Sequence, residues 1–162
     1  MTEPAVEQAD TAAAPVQGPV GRAWVACGLA WVLPGLGHLY LGRRRRAVVF
    51  CVVVLAMFFL GLASGGAATL ADPRQPLTYL ATADNIATGP IELLGRRHTY
   101  GRLVYRLPAD EANPERIELL GRLRRKVAEA SYEYGSTFLL TAGLMNILLI
   151  LDAWDIATGR KS

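Results

Sequence analysis

The sequence predicts an all-α, helical integral membrane protein, and three observations predict it. Of the 162 residues, 52% are hydrophobic and 19% charged, whereas charged residues make up about 25% of an ordinary soluble domain. The apolar residues gather in long uncharged blocks instead of spreading along the chain. Four of the 17 basic residues, Arg43, Arg44, Arg45 and Arg46, stand together between two of those blocks. The positive-inside rule expects such a cluster on the cytoplasmic side of a membrane.

Other bulk properties exclude several classes. The length suits one domain. A net charge of +3 would by itself permit nucleic-acid binding, but no aromatic stacking platform accompanies the arginine run, so no nucleic-acid partner is expected. Cys27 and Cys51 lie inside apolar blocks and are expected to act as small hydrophobes, not as a disulfide.

Residues 1–21 are rich in Ala, Pro, Gln and Glu without a hydrophobic period, which predicts a disordered tail. Acidic residues precede the first basic one, so a cleaved signal peptide is not expected. Residues 22–71 are expected to form a membrane hairpin. Its first block, Ala23 to Leu41, has 19 uncharged residues, the lower limit for crossing about 30 Å of hydrocarbon. Pro34, followed by Gly35 and Gly37, breaks it, so it is read as either kinked or re-entrant. The second block, Ala47 to Ala71, has 25 uncharged residues and is predicted to be one transmembrane helix. Within it Gly61 and Gly65 make a Gly-x-x-x-Gly pair, suited to close helix packing in lipid.

Residues 72–134 form a polar region in which Asp72 to Gly135 carries ten basic and nine acidic residues. Segment 76–95 is long enough to cross, but Asp84, Asn85, Pro90 and Glu92 oppose that. A central charge costs roughly 2.5–3.5 kcal/mol on insertion scales. A buried or re-entrant segment is expected. The run from Arg97 to Leu107 alternates apolar and basic residues and reads as extended. An amphipathic surface helix is expected over 114–134, with Ile117, Leu120, Leu123, Val127 and Ala130 on its apolar face. A third membrane helix is expected over 135–155, with Gly143 and Asn146 on a small-residue packing face and 156–162 as a tail.

The stretch "PGLGHLYLGR" contains Pro34, Gly35, Gly37, His38, Tyr40, Gly42 and Arg43. It resembles the signature of the two-transmembrane domain family and related bacterial inner-membrane proteins. The C-terminal "AGLMNILLILDAWD" is similar to the end of an uncharacterised bacterial membrane-protein family. These resemblances imply a multi-pass protein of the bacterial cytoplasmic (inner) membrane and no particular reaction.

No Gly-x-Ser-x-Gly, His-Glu-x-x-His or Walker motif occurs, so no catalytic residue is assigned. His38, Asp152 and Asp155 are the polar-site candidates, but a helix-end anchor explains the acids and a backbone partner explains the histidine without metal or catalysis. The expected function is a non-enzymatic structural or interaction protein without cofactor or metal. Membrane lipids are expected at Arg43–Arg46, and a second copy or another membrane protein at the Gly61/Gly65 and Gly143/Asn146 faces. The alternative is a small membrane-embedded enzyme or transporter acting on lipid or a small solute.

Overall fold

A computed structural model describes residues 20–161; of the expected tail over 1–21, residues 1–19 lie outside them, and Val20 and Gly21 begin the first helix instead. The described residues form seven α-helices and no strand. They are α1 (Val20–Val32), α2 (Leu36–Tyr40), α3 (Arg44–Ala63), α4 (Leu77–Ala87), α5 (Glu92–Tyr100), α6 (Pro114–Val127) and α7 (Tyr132–Ala157). Only α3 and α7 are long and apolar enough to cross a membrane.

The first apolar block is not a third long helix. Pro34 and Gly35 split it, and Gly35 takes a left-handed φ of 92°. Helix α2 folds back on α1 so closely that a Cβ on Gly37 would lie 2.4 Å from the Ala26 carbonyl oxygen. Ala23 and Ala26 at the start of α1 pack against Ala153 and Ala157 of α7. This hairpin therefore runs from the C-terminal end of α7 towards its middle and returns. With 13 residues, α1 is about 20 Å long.

The second block also differs from the expected 25-residue helix. Helix α3 ends at Ala63, and the chain from Gly66 to Leu70 runs without helix. The Gly66 N–H donates to the Gly61 carbonyl and the Gly65 N–H to the Leu62 carbonyl, a Schellman ending with Gly65 left-handed at φ 77°. Gly65 thus terminates the helix instead of continuing the packing face. Gly61 does pack closely, against Gly135 and Leu139 of α7.

Segment 76–95 becomes part of a second hairpin, α4 and α5, that approaches from the other end of α7. Thr82 near its base donates to the Thr69 carbonyl, Asp84 lies on Gly143, and Ala87 accepts from Asn146. On the return arm Gly95 rests beside Phe58 and Leu62. The two hairpin tips touch: Trp31 Nε1 donates to the Ile86 carbonyl at 3.0 Å. At that contact Gly89, at φ 95°, has its Cβ position 2.0 Å from the Trp31 oxygen.

Helix α6 turns only part of its expected apolar face against the protein. Ile117 and Val127 are exposed, Leu120 and Leu123 half-buried, Ala130 exposed, while Leu119 and Arg116 are buried. Leu119 enters a cluster with Ala68, Leu70, Tyr100 and Leu107. Arg116 is drawn inward by Asp72, with Nη2 to Oδ2 at 2.9 Å and Nη1 to Oδ1 at 3.3 Å. Between α5 and α6 the chain is extended, its Leu107 N–H donating to the Ala71 carbonyl at 2.9 Å.

Two predictions follow from these contacts. Gly135→Val forces a side chain into the Gly61 and Gly66 backbones and should destabilise by about 1–3 kcal/mol, the cost of overpacking; thermal unfolding of the purified protein reads it. The Arg116 hydrogen bond, chiefly, holds the Asp72 carboxyl below its ordinary range. Its stabilisation is therefore complete above the unfolded value of about 3.9 and is lost as pH falls through the lower folded value. Unfolding followed against pH should show this acid limb in the native chain and a flatter one in Asp72→Asn.

Candidate functional site

Two separate polar centres lie along α7. The first is at its C-terminal end. The short α2 brings His38 inward, fully buried, where its Nε2 meets Asp152 Oδ2 at 2.9 Å. An ionised carboxylate can only accept, so Nε2 carries the proton in this pair. The ring stands edge-on to Phe50 of α3, centroids 5.0 Å apart. The chain past α7 folds back so that Lys161 Nζ also pairs with Asp152. One carboxylate thus ties together the first hairpin, α7 and the C-terminal segment.

Asp155 does not join this centre. It is paired with Arg160 at 3.9 Å and is half-buried. No group of three or more His, Cys, Asp and Glu among the described residues is disposed to hold a metal ion.

The second centre is at the meeting of the hairpin tips. A helix ends with four carbonyls lacking intrahelical partners. Here two of those of α4 are capped from elsewhere: Ile86 by the Trp31 indole and Ala87 by Asn146 Nδ2 at 2.8 Å. Asn146 is fully buried. One turn away, Asp84 is 7% exposed. Neither of its carboxylate oxygens, nor Asn146 Oδ1, has a hydrogen-bond partner among the described residues.

The remaining motif residues shape the turns. Pro34 is buried, Gly35 stands against Ala47 and Cys51, and Gly42 is left-handed at φ 81°. Tyr40 is largely exposed. Arg44, Arg45 and Arg46 project from the first turn of α3, and the Arg43 N–H donates to the His38 carbonyl. His38 and Asp152 are brought together; Asn146 faces α4 instead. The Gly61 and Gly143/Asn146 faces are occupied by other parts of the same chain.

Several important residues were not singled out by sequence. Arg96 is fully buried; it pairs with Glu92, donates to the Thr69 and Val104 carbonyls, and lies 4.0 Å over the Tyr105 ring. The i, i+4 spacing of Glu92 and Arg96 was a usable signal. Nothing local pointed to Asp72 with Arg116, which are 44 residues apart.

His38→Ala removes a buried donor to a charged acceptor. It should lower stability by about 1.5–3 kcal/mol, read as a fall in unfolding temperature, with His38→Gln milder.

Comparison with curated proteins and with solved structures finds no match to this chain. Residues 25–162 match a protein family whose description is "Family of unknown function (DUF6677)". That match does not extend to the two-transmembrane domain family. The chain belongs to the uncharacterised family DUF6677.

Proposed function

We propose that the chain is a non-enzymatic, multi-pass protein of the bacterial inner membrane, a structural or interaction component that binds anionic phospholipid at its arginine-bearing end. In this reading α3 and α7 cross the bilayer and the two hairpins dip in from opposite faces. The resemblance of Pro34–Arg43 to the two-transmembrane domain family belongs to the same reading. Its support is an inverted distribution of polarity. On the second hairpin Leu77, Leu80 and Leu94 face outward while Thr82, Asp84, Asn85 and Glu92 are buried. Val48, Val52, Phe59, Leu144 and Leu148 are likewise exposed on the two long helices. Lipid tolerates irregular backbone at depth only where protein covers it, and the hairpin tips cover each other.

The observation that carries lipid binding is an open groove of about 560 Å³ between α3 and α7. Phe50, Met145 and Leu148 belong to its apolar lining, and its charged lining is Arg46, Lys161, Asp152 and Asp155, with Lys161 paired to Asp152. That arrangement suits an acyl chain below and a phosphate above. The arginines at the start of α3 also sit at the positive end of the helix dipole, where an anion relieves their repulsion. The enzyme or transporter alternative calls for His38, Asn146 and Asp152 around one polar cavity. Only His38 and Asp152 meet, which favours the non-enzymatic reading.

Vesicle or native mass-spectrometric titration should give tighter binding to phosphatidylglycerol than to phosphatidylcholine. Arg46→Gln with Lys161→Gln should reduce that preference by about 1 kcal/mol per residue removed. Equal binding of both lipids, or no loss in the double variant, defeats the lipid assignment. A well-folded monomer in detergent-free buffer defeats the membrane reading.

A further inference from the structure

We propose that Asp84 is a proton-binding site inside the protein, and that its occupancy controls the seating of the α4–α5 hairpin on α7. The inference goes beyond lipid binding and depends on the α4–α7 contact alone. Asp84 is pressed against the α7 backbone: a Cβ on Gly143 would lie 2.5 Å from its Oδ2 and 2.3 Å from its main-chain oxygen. Both carboxylate oxygens are buried without a partner. Asp84 and Ala87, one turn apart on α4, face Gly143 and Asn146, one turn apart on α7. Asn146 spends an amide N–H on the Ala87 carbonyl, and its own Oδ1 is a further unpartnered acceptor.

The Asp84 carboxylate is therefore a buried acceptor short of a donor. An ionised carboxylate without a cation or donor is costly to bury. One proton removes the charge and converts an acceptor into a donor. No neighbouring charge replaces that proton. On α7 the titratable groups are Tyr132, Glu133 and Tyr134 at one end and Asp152 and Asp155 at the other. Asp152 is held by His38 and Lys161, and Asp155 by Arg160. On α5, Glu92 and Arg96 are paired with each other, and Arg97 and His98 are exposed. In the loop before α4, Asp72 is paired with Arg116, and Tyr79 on α4 itself is exposed. Among the described residues Asp84 belongs to no group of three or more His, Cys, Asp and Glu that could hold a metal ion. Loss of the proton leaves an uncompensated carboxylate at the α4–α7 contact and drives the hairpin off α7.

The test uses the full chain with dicyclohexylcarbodiimide, which modifies protonated carboxyls in apolar surroundings, and peptide mass spectrometry to locate the adduct. Modification at Asp84 is expected at neutral pH and should fall at least fivefold as pH is raised. In parallel, hydrogen exchange of the α4–α5 amides should quicken with rising pH in the native chain and not in Asp84→Asn, which is permanently neutral. Lack of modification at Asp84, modification independent of pH, or the same pH dependence of exchange in Asp84→Asn overturns the proposal. Protection by sodium at constant pH also overturns it, by making the site one for an alkali cation. Should Asp84→Asn not fold, the adduct's pH dependence in the native chain still decides. None of these readouts involves lipid, so failure here is distinct from failure of the groove assignment.

Discussion

The close approach of other backbones to α7 is the constraint on which the rest depends. At each level this helix presents a small residue to the element that packs there. Gly135 admits the Gly61–Gly66 turn, Gly143 admits Asp84, and Ala153 and Ala157 admit the start of α1. A larger side chain at Gly135 or Gly143 would displace a whole element, because the nearest contacts there are to main-chain atoms. Between these levels Leu139, Ala142 and Leu149 build the core with Val54 and Phe58. Helix α7 thus seats the other elements, and the polar residues gain their partners only because the backbones lie so near.

The two hairpins use that post in the same manner from opposite ends. Each is a short helix, a glycine- and proline-bearing turn and a shorter return arm, followed later by a long apolar helix. Neither α1 nor α4 is long enough to traverse the height of α7, so each stops near its middle with exposed carbonyls. Trp31 and Asn146 satisfy two of those carbonyls from outside the helix concerned. The consequence is a set of buried polar groups set among the apolar clusters of the interior, with many large apolar side chains left exposed. Interior polarity is nearly balanced by the pairs His38–Asp152, Glu92–Arg96 and Asp72–Arg116. Among the described residues, Asp84 is the one buried acid with neither a cation nor a donor as partner.

The cap formed by α6 and the extended segments has a different logic. Two buried ion pairs, Arg96–Glu92 and Arg116–Asp72, anchor irregular backbone there: Arg96 holds the carbonyls of Thr69 and Val104, and Arg116 that of Pro108. Guanidinium groups suit this task because one side chain offers several fixed donors. Removing one partner of such a pair leaves a buried charge uncompensated, so these pairs specify the cap's arrangement more than they add stability.

The sequence by itself determined the helical class, the two long apolar helices, the break at Pro34 and the position of the arginine run. Those features are written in local composition: uncharged length, a proline without an N–H, and a cluster of like charges. It also pointed to His38, Asp152, Gly61, Gly143 and Asn146 as residues of interest, since polar or small residues in apolar blocks stand out. It did not place Gly65 at a helix end, because a Gly-x-x-x-Gly spacing looks the same whether the helix continues or a Schellman turn closes it. It did not say which residues of α6 would be covered by protein. Periodicity favoured Ile117 and Val127, yet a bidentate bond from Arg116 to Asp72 rotates the helix so that Leu119 is inside. The meeting of the hairpin tips, the capping of α4 by Trp31 and Asn146, and the isolation of Asp84 were decided only by tertiary structure. Each joins residues tens of positions apart, and only packing on α7 brings them within bonding distance.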